Sequence, residues 1–225
     1  MATNYGSGSL GAWQGNVPVV SGPTQIASAI ATGGAFVFGD SISVENGAAL
    51  ATALYAATGQ TIAIHAWSGR PTAPAVDQLA AWVAQYGCPP VVVMAVGTND
   101  IFDPPAMAAQ VARVFSIVPP TTKVVWVSIY ASRWALGYPY GSEAYWGQRE
   151  SDLRNTGWVN AQIQNGVGKH AKGVVADWYE GLCTNPGYCL TNYLRDGVHT
   201  TALGKAAWVA TVVAAIQRAN ALPTC

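Results

Sequence analysis

Val91 to Val96 is apolar at every position. A half-buried strand alternates apolar with polar residues. A run without alternation has to be covered on both faces, as in the interior of a parallel sheet. The rest of the chain fits such a sheet. Ala35 to Phe38, Thr61 to His65, Lys123 to Tyr130 and Gly173 to Asp177 read as further strands. Between them, Val44 to Ala57, Asp77 to Tyr86 and Trp158 to Val167 have helical spacing. Pro104 to Ile117 reads as a helix capped by Asp103, and Ala202 to Ala219 as one capped by Thr200 or Thr201. This alternation predicts an α/β protein: a five-stranded parallel sheet between two helical layers, α/β/α, with right-handed crossovers.

The chain has 225 residues, which fits one domain, and 51% of them are apolar against 10% charged. Lys+Arg and Asp+Glu balance at 11 each, which argues against nucleic acid as a partner. The longest apolar helical stretch, Ala206 to Ile216, is well short of a membrane span. Residues 1–34 read as a Gly/Ser-rich N-terminal extension with one short helix, Pro23 to Ile30, ahead of a domain at residues 35–225. Gly6-Ser7-Gly8-Ser9-Leu10-Gly11 matches a dinucleotide-binding pattern, but no strand precedes it, so it reads as flexible linker.

Cys183 and Cys189 bracket a Gly/Pro-containing loop. Cys88 precedes a strand and Cys225 follows a helix running back to the same rim of the sheet. The expected disulfides are therefore Cys183–Cys189 and Cys88–Cys225. Paired cysteines favour an extracytoplasmic or secreted setting. Residues 1–39 carry no charge and lack the basic start of a leader, so a leader or membrane portion would lie outside this chain. A monomer is expected. Neither C-x-x-C nor H-E-x-x-H occurs, so no metal is expected.

Three strings fall at the carboxyl ends of the predicted strands or in loops before helices, where parallel sheets bind ligands. In Gly39-Asp40-Ser41, Ser41 follows a strand and opens a helix, so it is either a helix cap or an exposed nucleophile. Asp196-Gly197-Val198-His199 places a carboxylate three residues before an imidazole, the pairing that orients a general base. In Gly97-Thr98-Asn99-Asp100, Asn99 offers a side-chain amide to a developing oxyanion. The N–H groups of Ser41 and of Gly69, in Ser68-Gly69, are further oxyanion donors. Asp40 and Asp100 read as turn braces, His65 as a packed histidine and His170 as a surface one.

Taken together, Gly39-Asp40-Ser41, Ser68-Gly69, Gly97-Thr98-Asn99-Asp100 and Asp196-Gly197-Val198-His199 resemble, in order, the four sequence blocks of the SGNH/GDSL hydrolases. The resemblance spans residues 36 to about 215. It implies a flavodoxin-like fold, Ser41 as nucleophile, His199 as base and Asp196 as its orienter. It further implies Ser41, Gly69 and Asn99 as the oxyanion hole, and no cofactor. The second block departs from the family pattern, with His65 where Asn is common. Arg133-Trp134, Trp158-Val159-Asn160 and Asp177-Trp178-Tyr179 are similar to SGNH domains attached to bacterial cell-wall O-acyltransferases.

Ala131 to Gly157 reads as a long loop rich in aromatic residues. Trp134, Tyr138, Tyr140 and Trp146 are candidate substrate-binding residues, either stacking on sugars or lining an acyl pocket, unless they only cover the sheet edge. The expected substrate is a short-chain O-acyl ester of a small molecule or a glycan, hydrolysed or transferred through an acyl-enzyme. The alternatives are a lipid or aryl esterase, a thioesterase, and a non-catalytic glycan-binding domain.

Overall fold

The computed structural model describes residues 5–134, 138–183 and 190–223. Among these are β1 (Pro18–Val20), α1 (Pro23–Ala31), β2 (Ala35–Gly39), α2 (Ser41–Thr58), β3 (Ile62–Trp67) and α3 (Thr72–Tyr86). Then come β4 (Val91–Ala95), 3-10 turns at Thr98–Phe102 and Pro104–Ala106, α4 (Met107–Ile117) and β5 (Lys123–Val127). The chain continues with α5 (Glu143–Val167), β6 (Gly173–Ala176), α6 (Trp178–Cys183), α7 (Leu190–Tyr193) and α8 (Ala202–Asn220).

The sheet runs β1-β3-β2-β4-β5-β6. The five predicted strands, β2 to β6, are all parallel to one another, with β2 between β3 and β4. The parallel strands feed both layers of the core. On one face Phe36, Phe38, Val92, Met94 and Trp126 pack against α1, α3, α4 and α5. On the other, Val37, Ile64, Val91, Val93 and Val125 pack against α2, α6 and α8. All five residues of β4 are buried, as their uninterrupted apolar character requires.

Three expectations are corrected. The sheet is mixed and six-stranded, because β1 pairs antiparallel with β3, Val19 opposite Ala66. The flexible-linker reading of the lead-in also fails from residue 5 onward. Arg154 and Asn155 donate to the Tyr5 carbonyl, and Arg133 and Gln148 donate to that of Ser7. These anchors lie more than a hundred residues away, so local composition could not reveal them. Finally, most of the expected loop at 131–157 is helix, since α5 starts at Glu143 with Ser142 as its cap.

The reason the first half of α5, before Trp158, escaped notice is physical. Its inward face is polar: Asp152, Asn155 and Thr156 are buried alongside Tyr145. Asn155 Nδ2 donates to the carbonyl of Ile101, Thr156 to that of Ala131, and Asn160 exchanges two bonds with the backbone of Ile129. A helix that buries hydrogen-bonding groups shows no apolar stripe, and apolar periodicity is the signal by which helices are read.

Asp103 makes no side-chain capping bond; short 3-10 turns replace the first turns of the predicted helix. Cys88 and Cys183 carry free thiols. The partners expected for them, Cys225 and Cys189, lie outside the described residues. None of the described helices is long and apolar enough to cross a membrane.

Candidate active site

β2 is the strand at which the sheet reverses direction: β3 lies on one side of it and β4 on the other. The crossovers α2 and α3 leave for opposite faces, which opens a crevice at the carboxyl end of β2. Ser41 stands there as the first residue of α2. Asp40 is the cap, its carboxylate accepting from the Ile42 N–H at 3.0 Å, so Ser41 is free of that duty.

His199 Nε2 lies 2.9 Å from Ser41 Oγ, and His199 Nδ1 lies 2.7 Å from Asp196 Oδ2. The other oxygen of Asp196 accepts from the backbone N–H groups of Val198 (3.0 Å) and His199 (2.7 Å). Burial would raise the Asp196 carboxyl, but these amides and the imidazole outweigh it and hold it below the ordinary carboxylate value. An ionised carboxylate on Nδ1 keeps the proton there, leaving Nε2 as an acceptor for the Ser41 hydroxyl.

The turn carrying His199 is clamped from both sides. Ser132 N–H donates to the Gly197 carbonyl at 3.0 Å, and Trp134 N–H to the Asp196 carbonyl at 2.8 Å. On the other side the Arg195 guanidinium makes a two-pronged ion pair with Glu45 of α2. Gly197 has φ +86°, and a Cβ there would lie 1.9 Å from the Ser132 carbonyl oxygen. Only glycine permits this approach.

Gly69 also adopts a left-handed conformation, φ +80°. Its N–H meets no acceptor among the described residues. Asn16 Nδ2 donates to the Ser68 carbonyl at 2.8 Å, and Trp13 packs over Gly69. The N-terminal segment therefore holds this turn in place. Asn99 sits on the 3-10 turn after β4 and donates through Nδ2 to the Arg70 carbonyl at 3.2 Å. An amide nitrogen has two hydrogens, so one remains for a ligand.

Arg70 was missed by motif reasoning. It is buried beneath the site, with Nη1 2.7 Å from His65 Nδ1 and Nη2 donating to the carbonyls of Gly39 and His65. Burial lowers it to about 10, against the raising influence of Asp40. Burial, with Arg70 nearby, pushes His65 down to about 4, so its ring is neutral and accepts from the guanidinium. One signal was available: Arg70 is the only Lys or Arg before Arg113. Asp100 is buried too, accepting from the N–H and hydroxyl of Thr72 at the start of α3.

Ser41, Gly69, Asn99, Asp196 and His199 share one open cavity of about 410 Å³. Asn16, Glu45, Ser68, Thr98 and Arg133 complete its polar lining, and Ile101, Phe102, Ala131 and Val198 its apolar side. The four aromatic candidates are elsewhere. Trp134 packs into the core face under α2 and α8. Tyr138 faces a separate groove beside Gly6 and Gly8, while Tyr140 and Trp146 are exposed and pack on each other. Their displacement follows from α5, which carries Trp146 on its outer face. His170 is a surface residue stacked on Phe115.

Such a cavity can deliver a hydroxyl nucleophile to a carbonyl carbon, with a base behind it and N–H donors in front. No protein-family model and no curated protein matches this chain. Solved structures do. The C-terminal catalytic domain of Streptococcus pneumoniae peptidoglycan O-acetyltransferase A, with a methylsulfonyl adduct, is similar at TM-score 0.61 and 20% identity, over 84% of this chain and 96% of that one. A member of the lipolytic G-D-S-L family from Veillonella parvula is similar at 0.63 and 14%, over 82% and 98%. A carbohydrate esterase family 3 protein from Talaromyces cellulolyticus is similar at 0.61 and 16%, over 84% and 99%. At this identity the likeness establishes the fold, which is that of the SGNH hydrolases.

Proposed function

We propose that this chain is a serine-dependent carboxylic ester hydrolase or acyltransferase, working through an acyl-enzyme on short O-acyl groups carried by a carbohydrate. The observation that carries the reading is the relay Asp196–His199–Ser41, with links of 2.7 and 2.9 Å, opening on one cavity with Gly69 and Asn99.

Ser41 Oγ attacks the ester carbonyl carbon as its proton passes to His199 Nε2. The carbonyl oxygen becomes an oxyanion and takes hydrogen bonds from the N–H groups of Ser41 and Gly69 and from Asn99 Nδ2. The tetrahedral adduct collapses, the C–O bond to the alcohol breaks, and His199 returns its proton to the departing alkoxide. The acyl group is then on Ser41. His199 next deprotonates water or a second hydroxyl, which attacks the acyl carbon. Release of carboxylic acid or new ester restores Ser41. Hydrolysis and transfer differ only in this second nucleophile.

Two observations support a small acyl group on a polar carrier. The cavity is about 410 Å³, and Asn16, Ser68, Thr98, Asn99 and Arg133 place polar groups in its largely apolar wall. Two of the similar solved structures are named for peptidoglycan O-acetyl transfer and for carbohydrate ester cleavage. An extracytoplasmic, monomeric protein is the setting that goes with an envelope-glycan substrate. The apolar side formed by Ile101, Phe102 and Val198 favours a second reading, a lipid or aryl esterase.

A fluorophosphonate probe tests the chemistry. The native protein is expected to carry an adduct on Ser41, and Ser41→Ala and His199→Ala none; an unlabelled native protein sinks the proposal. A p-nitrophenyl ester series then separates the two readings. Acetate and propionate are expected to be turned over fastest, and a preference for chains of eight or more carbons favours the lipid reading.

A further inference from the structure

Arg133 is the one Lys or Arg among the residues lining the active-site cavity. Its guanidinium is unusually constrained. Nε donates to Asp152 Oδ2 at 2.8 Å, and Nη2 donates to Asp152 Oδ1 at 2.7 Å and to the Ser7 carbonyl at 2.6 Å. The carboxylate of Asp152 is fully buried, and the Arg133 side chain is 27% exposed. The guanidinium carbon lies 5.0 Å from the centre of the Phe102 ring, also in the cavity wall.

A guanidinium has five N–H bonds. Three are spoken for by the contacts above. The two on Nη1 meet no acceptor among the described residues. The side chain is partly exposed, and Nη1 is not among the described buried polar atoms that lack a partner. The charge is thus held from behind, and Nη1 is left with no described partner on a cavity-lining side chain. Holding an arginine this way removes most of the entropy a free side chain would lose on binding. The buried carboxylate also balances its charge, so Nη1 suits a neutral oxygen as well as an anionic one.

The acyl half of an ester has its oxygen claimed by the oxyanion donors. For the alcohol half, the described cavity wall offers one cationic donor, Arg133. Phe102, whose ring the guanidinium covers, adds an apolar edge beside it. We propose that Arg133 is a specificity-determining residue: its Nη1 donates to a hydroxyl or ring oxygen of a sugar in the alcohol half of the ester, beside Phe102. This rests on the esterase reading above and adds to it the side of the cavity that takes the carrier.

The test compares two acetyl esters in native protein and in Arg133→Lys and Arg133→Gln. One is 6-O-acetylglucose, whose alcohol half is a sugar. The other is p-nitrophenyl acetate, whose alcohol half offers no such oxygen. Expected is a fall of about 10- to 100-fold in kcat/KM on the sugar ester, mostly through KM, as befits a lost charged hydrogen bond. Circular dichroism checks that the variants fold, and whatever p-nitrophenyl acetate and fluorophosphonate labelling lose measures the brace on buried Asp152; the sugar ester should fall about 10-fold further than they do. Equal falls on both esters would mean that Arg133 acts only as a brace, and overturn the inference. So would an unchanged sugar ester, or a native protein that cleaves p-nitrophenyl acetate but not 6-O-acetylglucose. A native protein that neither labels nor cleaves either ester overturns the esterase reading, and this inference with it.

Discussion

Arg70 Nη1 lies 2.7 Å from His65 Nδ1, and Nη2 of the same guanidinium donates to the carbonyl of Gly39. One buried arginine thereby ties the ends of β2 and β3 together directly under the Ser41 turn. Its own carbonyl is what Asn99 holds. The nucleophile strand and two of the proposed oxyanion donors therefore share a single brace. Arg70→Met removes the guanidinium's bonds to the Gly39 and His65 carbonyls and to His65 Nδ1 in a buried site. The expected loss is about 3 kcal/mol of stability, read by denaturant unfolding, with turnover falling further than stability alone explains.

The same pair sets a pH dependence. His65 titrates at about 4 when folded, against an ordinary value near 6.5, because it is buried and faces Arg70. A depressed value means that the unfolded chain binds the proton first. The stability this neutral histidine contributes is complete above pH 6.5 and is lost as pH falls toward 4. The full shift corresponds to about 3 kcal/mol. Unfolding free energies between pH 4 and 7 should slope less steeply in His65→Gln than in the native protein; parallel slopes would refute the assignment.

Asp196→Asn keeps an oxygen for the Val198 and His199 amides, so the turn should survive. Its NH2 would then face His199 Nδ1, making that nitrogen an acceptor and moving the proton to Nε2. Base catalysis at Ser41 fails in that tautomer. A drop of about 10³- to 10⁴-fold in kcat is expected, with an unaltered melting temperature.

Asn99→Ala removes one proposed oxyanion donor. A fall in kcat of about 10²- to 10³-fold with little change in KM is the expected signature, since the bond matters only once the carbonyl oxygen carries charge. A mainly KM effect would instead make Asn99 a ground-state contact.

Gly197→Ala forces a Cβ to within 1.9 Å of the Ser132 carbonyl oxygen and demands φ +86° of alanine. The turn between Asp196 and His199 must move to relieve it. Thermal melting should show a loss of about 2–4 kcal/mol, accompanied by a loss of Ser41 labelling.

The strands, most helices and the chemistry-bearing strings follow from local rules. Uninterrupted apolar runs require cover on both faces, and β2 to β5 obey. Ser41, Asp196 and His199 are legible because the carboxylate and imidazole are three residues apart and the serine opens a helix after a strand. The remaining features were not legible, for one recurring reason. Asp152 and Asn155 look like surface residues in sequence, and their burial makes sense only once Arg133, Ile101 and the Tyr5–Ser7 segment arrive from elsewhere in the chain. Trp134, Tyr138, Tyr140 and Trp146 looked like a binding loop because rings cluster there, but Trp134 packs on the core and α5 carries Trp146 on its exposed face.

By itself, then, the sequence determined a parallel α/β sheet and the residue types for acyl transfer at its carboxyl rim, since both depend on periodicity and short-range spacing. The tertiary structure alone decided that Ser41 and His199, 158 positions apart, meet at 2.9 Å. It also decided that the N-terminal segment is part of the site, and that Arg133 and Phe102 line the cavity in place of the predicted aromatics. Those outcomes depend on polar groups paired across long chain separations in a dry interior, and no local pattern encodes such pairing.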